Sequence, residues 1–182
     1  MRHSPCLAVL AAVFLGACTA QGAGVPPSPA AIEAEGGGSN RVRFEVDGQA
    51  FAFRTPQVRH GRSRAGQGLV ARRFELASAD QSLYARLVLN VEATRGDLSG
   101  RYRVVAGDGE GDGASAGTAE LMLAEETDPV RGRRMFPGGG GEVEVVQREG
   151  YFEVRFSITG DGLFRDRDAA PVEGELAFHA PS

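Results

Sequence analysis

From Arg41 onward, apolar residues recur at every second position in short runs broken by Gly and Asp, the period of strands that show one face to a core and the other to solvent. In "RVRFEVDGQAFAF" this places Val42, Phe44 and Val46 on one face. Asp47-Gly48 is a tight-hairpin dipeptide, so a second strand follows it. Further strands are predicted over 69–77, 83–92, 101–106, 118–124, 142–147, 151–158 and 172–179. In "LYARLVLNV" the set Leu83, Ala85, Leu87, Leu89 and Val91 faces inward, while Tyr84, Arg86 and Asn90 form a wet face. "GGEVEVVQREGYFEVRFSITG" reads as a hairpin turning at Arg148 to Gly150, with Phe152, Val154, Phe156 and Ile158 aligned on its second arm. No segment carries a helical stripe. About nine strands with closely spaced turn signals predict an all-β fold, a single antiparallel β-sandwich or a closed β-barrel. The stretches "RHGRSRAGQG", "GDGEGDGASAG" and "EETDPVRGRRMFPGGGG" read as loops between them.

The N-terminus has a different pattern. Arg2 and His3 precede an apolar core from Cys6 to Phe14, then the small residues Gly16 and Ala17, as in a secretory signal. That core is too short to span a bilayer, which takes about 20 apolar residues. With "LGAC" at 15–18 it resembles the signal peptide of bacterial lipoproteins. The resemblance implies diacylglycerol on the Cys18 thiol and cleavage just before it, so that residues 1–17 are signal peptide. Residues 18–40 are then the lipidated cysteine and a disordered tether, and residues 41–182 one antiparallel β domain. An aspartate after the cysteine would resemble an inner-membrane retention signal; Thr19 stands there instead. The expected address is the cell envelope, on the outer membrane by the lipid anchor, with the domain facing the periplasm. The Pro- and Gly-rich tether, residues 19–40, buries too little to order itself and holds the domain about 25 Å from the membrane, about 70 Å at full stretch. Cys6 leaves with the signal and Cys18 is blocked, which leaves the domain without thiol, disulfide or cysteine metal site. The last forty residues, with "GGEVEV", "FEVRFSI" and "VEGELAF", also resemble the C-terminal strands of small β-sandwich lipoproteins of unassigned function, a likeness that implies no active site.

Charge narrows the partners. The formal charge of −4 falls to −5 once Arg2 is removed, which argues against nucleic acid. Every basic residue is arginine, and the chain has no Trp, the side chain best suited to stacking on sugars or cations. Between Gly48 and Phe74 six arginines and His60 stand without one acidic residue. Arg59, Arg62 and Arg64 are therefore the candidate contact for an envelope protein or an anionic lipid. Asp108, Glu110 and Asp112, at alternate positions ahead of Gly113, partly match a calcium loop. Ala119 stands where that loop needs its closing bidentate Glu. Met135 and Phe136 either meet a partner or membrane surface from a loop tip or cover an open end of the core. Asp161, Asp166 and Asp168 interleave with Arg165 and Arg167 as local ion pairs.

Outside the signal the only histidines are His60 and His179, and there is no G-x-S-x-G elbow, no H-E-x-x-H and no phosphate loop. The expectation is a protein that is not an enzyme and has no cofactor: a lipid-anchored binding or assembly module. The alternative is a lipocalin-like carrier of a small apolar or lipid ligand. The missing Trp near the first strand counts against that alternative.

Overall fold

The hairpin at Asp47-Gly48 starts the sheet. These two residues take φ of 52° and 74°, the left-handed pair a two-residue hairpin requires, and join β1 (Arg41–Val46) to β2 (Gln49–Arg54). The computed structural model describes residues 40–55, 58–106, 114–128, 132–160 and 170–180. Eight more strands follow: β3 (Val58–Gly66), β4 (Leu69–Ala77), β5 (Leu83–Glu92), β6 (Gly100–Val104), β7 (Thr118–Asp128), β8 (Gly132–Arg148), β9 (Tyr151–Gly160) and β10 (Ala170–His179). The described residues contain no helix, and all ten strands belong to one sheet in the order β2-β1-β10-β9-β8-β6-β7-β5-β4-β3. Every pairing is antiparallel except β6 with β7, where Arg103 and Val104 lie beside Thr118 and Ala119.

One face of this sheet holds the core. Val42 and Phe44 of β1, Leu87 and Leu89 of β5, Val143 and Val145 of β8, Val154 and Phe156 of β9, and Leu176 and Phe178 of β10 are all buried. The sheet curls until distant strands meet. Phe74 of β4 lies 5.0 Å from Phe152 of β9 and 5.2 Å from Phe178 of β10, ring centre to ring centre. Phe152 and Phe178 stack at 5.3 Å. Each such pair contributes about 0.5–1.5 kcal/mol beyond burial.

The curl does not close. β2 and β3 are its free edges, and the alternating strand directions leave the two running the same way. The chain therefore leaves one edge as β2 and enters the other as β3 after residues 55–57. Thr55 holds the two sides at this point. Its amide donates to Asn40 O at 3.0 Å, next to β1, and its hydroxyl accepts from the Ala77 amide at the end of β4, at 3.3 Å. The result is a half-barrel with one seam.

Several expectations change here. All-β holds, but the closed antiparallel sandwich or barrel of nine strands becomes one open, mixed sheet of ten. The extra strand is β3, where "RHGRSRAGQG" was expected to loop: alternation of apolar residues is absent there because both faces of the strand meet solvent. The expected loop 125–141 is also mostly strand. β7 runs on to Asp128 and β8 begins at Gly132, with Leu123 opposite Phe136. The face of β5 expected to be wet is dry at its end, where Asn90 is 2% exposed and its side-chain amide donates to the Thr118 hydroxyl at 3.1 Å. Cys18, the calcium-loop residues Asp108, Glu110 and Asp112, and the aspartates from 161 to 168 lie outside the described residues.

Candidate functional site: the cationic edge strand

β3 is exposed without interruption from Arg59 to Arg64. A strand buried on neither face needs no alternation, and here polar residues fill both sides. Its register against β4 assigns the sides. Val58, His60, Arg62 and Arg64 stand opposite Leu76, Phe74, Arg72 and Val70; Arg59, Gly61 and Ser63 stand opposite Glu75, Arg73 and Ala71. Leu76 and Phe74 are buried in the core, so the first set continues the inner face of the sheet. Arg62 and Arg64 thus share the inner face, whereas Arg59 lies on the outer one. The three arginines singled out from the sequence do not form one patch.

Arg72 joins the inner pair. It is half-buried, sits across from Arg62 on one side and Leu89 on the other, and its buried Nε has no hydrogen-bond partner. Parity along β4 identifies it: Phe74 and Leu76 are core, so Arg72 points the same way. The Arg62 guanidinium donates to Ala93 O at 3.2 Å, and Arg64 Nε to Gly66 O at 3.5 Å. Both acceptors are neutral carbonyls. A register shift between Arg64 and Gly66, with Gly66 and Gly68 at φ of 146° and 72°, turns the strand into β4. His60 stacks on Phe74 at 4.9 Å with the rings 7° from parallel and covers the core edge at the seam.

On the outer face of the other half of the sheet several arginines meet carboxylates. Across the outer face of β1, β10, β9, β8 and β6, register aligns Arg43, Glu175, Arg155, Glu144 and Arg101 in one row of alternating charge. Arg43 and Arg41 reach Glu175 at 3.9 and 3.6 Å, and Arg101 reaches Glu142 and Glu144 at 3.6 and 3.8 Å. Such exposed pairs contribute about 0–1 kcal/mol each; they remove net field more than they stabilise. A shallow groove crosses this face, lined by Glu142, Glu144, Arg155, Ser157, Glu173 and Glu175. Among the described residues no group of three His, Cys, Asp or Glu is arranged to hold a metal ion.

The remaining candidates sit apart from β3. Met135 and Phe136 lie within β8 and are half-buried, and Phe136 packs edge-on to Phe44 and obliquely to Phe51, 6.4 Å from each. Phe136 is therefore a cover for the core. His179, exposed at the end of β10, packs against Tyr151 at 4.8 Å. It faces outward and His60 inward, so the two histidines are on opposite faces of the sheet. Among the described residues no helix is long and apolar enough to cross a membrane. Comparison with known proteins adds no relative to this arrangement: no family model, no curated protein and no solved structure matches the chain.

Proposed function

We propose that this chain is a non-catalytic, lipid-anchored protein of the cell envelope, whose β domain acts as a binding or assembly module through the cationic edge strand β3. The observation that carries this reading is the unbroken exposure of Arg59 to Arg64 on a free sheet edge, in a chain whose net charge is negative. A surface of this kind attracts an anionic partner over a Debye length of about 8 Å at physiological salt. The aromatic packing at the centre of the curl supports contact at the surface over a ligand held inside. Cys18 supplies the anchor. Two or more acyl chains give stable membrane attachment at about 0.8 kcal/mol per buried methylene, and the tether lets β3 search near the outer membrane from its periplasmic side.

A photoactivatable residue placed at Ser63, which is exposed in the middle of β3, tests this in cells by capturing proteins and lipids alike. One dominant adduct is expected, lost in a chain carrying Arg59→Ser, Arg62→Ser and Arg64→Ser, and reduced in Cys18→Ser, which leaves the membrane fraction. Recovery of uncrosslinked monomer alone, or the same adducts with and without the arginines, overturns the reading.

A further inference from the structure

The inner face of the seam has a charge arrangement that the sheet does not resolve by itself. Arg62 and Arg72 are directly opposite in register, and Arg64 is the diagonal neighbour of Arg72 on the same face. Like charges opposite one another across a strand pair destabilise it. Arg72 is half-buried with its Nε out of water and unpartnered, and an unmatched buried guanidinium donor costs more than an exposed one. None of the three arginines has a carboxylate within ion-pair reach among the described residues, in contrast to Arg41, Arg43 and Arg101 on the outer face.

We propose that Arg62, Arg64 and Arg72 form a binding site for a phosphate group, held at the open seam between the guanidinium groups. The inference deepens the reading of β3 as the contact strand and rests on it. Three arginines at neighbouring positions on one face of adjacent strands offer guanidinium donors, and the tetrahedral oxygens of a phosphate take charge-assisted bonds from several directions at once. The negative charge of a phosphate offsets part of the repulsion among the three cations. Without it Arg72 has no ion-pair partner among the described residues. On one side the site is flanked by Val70, which packs against the core, and by the buried Leu89. That side is of low polarity, and it strengthens the attraction relative to open water. The other side is open at the free edge, which admits a phosphate carried on a larger molecule.

Two sources present this group, a free phosphate and the headgroup of an anionic phospholipid, and titration of the folded chain distinguishes them. Inorganic phosphate and, separately, vesicles of phosphatidylglycerol are added while amide chemical shifts of β3 and β4 are followed, with phosphatidylcholine vesicles as the reference. Saturable shifts at Arg62, Arg64 and Arg72 with phosphate identify a site for the free group; saturation only with phosphatidylglycerol identifies the headgroup. In either case Arg72→Ser weakens binding at least tenfold, while Arg148→Ser, which removes an equal charge at the β8–β9 turn, leaves it within twofold. Arg62→Ser, at an exposed position, gives the same loss should Arg72→Ser alter the fold. Absence of saturation with both ligands overturns the proposal, as does equal loss in Arg148→Ser, because the arginines then act only as charges that keep a free edge from pairing with another chain. A crosslinked partner at Ser63 that survives these outcomes keeps β3 as the contact strand, with a chemistry other than phosphate.

Discussion

Asp80 shows how one side chain sets a turn. It lies between β4 and β5, where its Oδ1 accepts from the Ser78 hydroxyl at 2.5 Å, the Ser82 amide at 3.1 Å and the Ser82 hydroxyl at 2.8 Å. The Ser78 hydroxyl in turn accepts from the Leu83 amide at 3.0 Å. Gln81 takes φ of 62° to complete the loop. These bonds favour the carboxylate, first from the Ser78 hydroxyl and then from Ser82, and hold the Asp80 pKa down to about 2. A depressed carboxyl pKa stabilises the fold above the unfolded value of about 3.9, and that share is lost as pH falls from there toward 2. Asp97, lowered by the Ser99 amide and hydroxyl, acts in the same direction. Asp80→Asn should therefore lower the melting temperature at pH 7 and flatten its fall between pH 5 and pH 2 relative to the parent chain. Parallel acid limbs would show that the turn carries no such linkage. The sequence "SADQS" marks a turn by composition alone, but the threefold acceptor depends on where the two serines fold back, which no spacing rule encodes.

Strands were legible wherever one face is apolar and the other polar. β1, β5, β9 and β10 follow from the alternation of residues such as Val42, Phe44 and Val46, because burial on one face imposes a period of two. β3 was not legible, since neither of its faces carries that burden. β8 was legible only in its second half. Its first half pairs with β7 through Pro137, and from Gly138 onward it pairs with β9 and, between Glu142 and Val145, with β6. The strand changes partners at "GGGG", a run that reads as a loop in sequence because glycine has no side-chain pattern to show. Register shifts between Gly138 and Gly140, and close approach fixes which glycines matter. A Cβ on Gly138 would lie 2.7 Å from Val104 Cγ1 and 3.3 Å from Leu121 O, whereas one on Gly140 meets nothing within 4 Å. Gly141 takes φ of 106°, where a side chain is strained. Gly138→Ala should cost about 1–3 kcal/mol in chemical denaturation, as overpacking of a core does. Gly140→Ala should be neutral within about 0.5 kcal/mol, as for a surface change. Equal costs would mean that the bend is shared along the run and not seated at Gly138.

At the scale of the molecule the candidate site exists because the sheet stays open. The arginines of β3 were visible in the sequence as an acid-free span, but their division between two faces, and the addition of Arg72, come from a ring that starts at one edge and ends at the other. The residue that joins these edges is Thr55, 3% exposed, and "RTPQ" gives no hint of it: Asn40 is its partner by the β1–β2 hairpin register, but Ala77 is brought to it by the curl of the whole sheet. Its hydroxyl is the acceptor of the Ala77 amide. Thr55→Val keeps shape and volume but removes the acceptor of that part-buried donor, which costs about 1 kcal/mol. The loss should open the molecule locally, at the seam. Amide hydrogen exchange would then quicken at Phe53, Val58 and Ala77, while Val145 and Val154, in the middle of the β8–β9 pairing, stay protected up to global unfolding. Thr55→Ser, which retains the hydroxyl, should restore slow exchange at the seam. A uniform rise across all strands in Thr55→Val would make Thr55 an ordinary core residue. A rise confined to β2, β3 and β4 would make it the latch that holds the mouth around Arg62, Arg64 and Arg72 at fixed width, and anion affinity should fall with it.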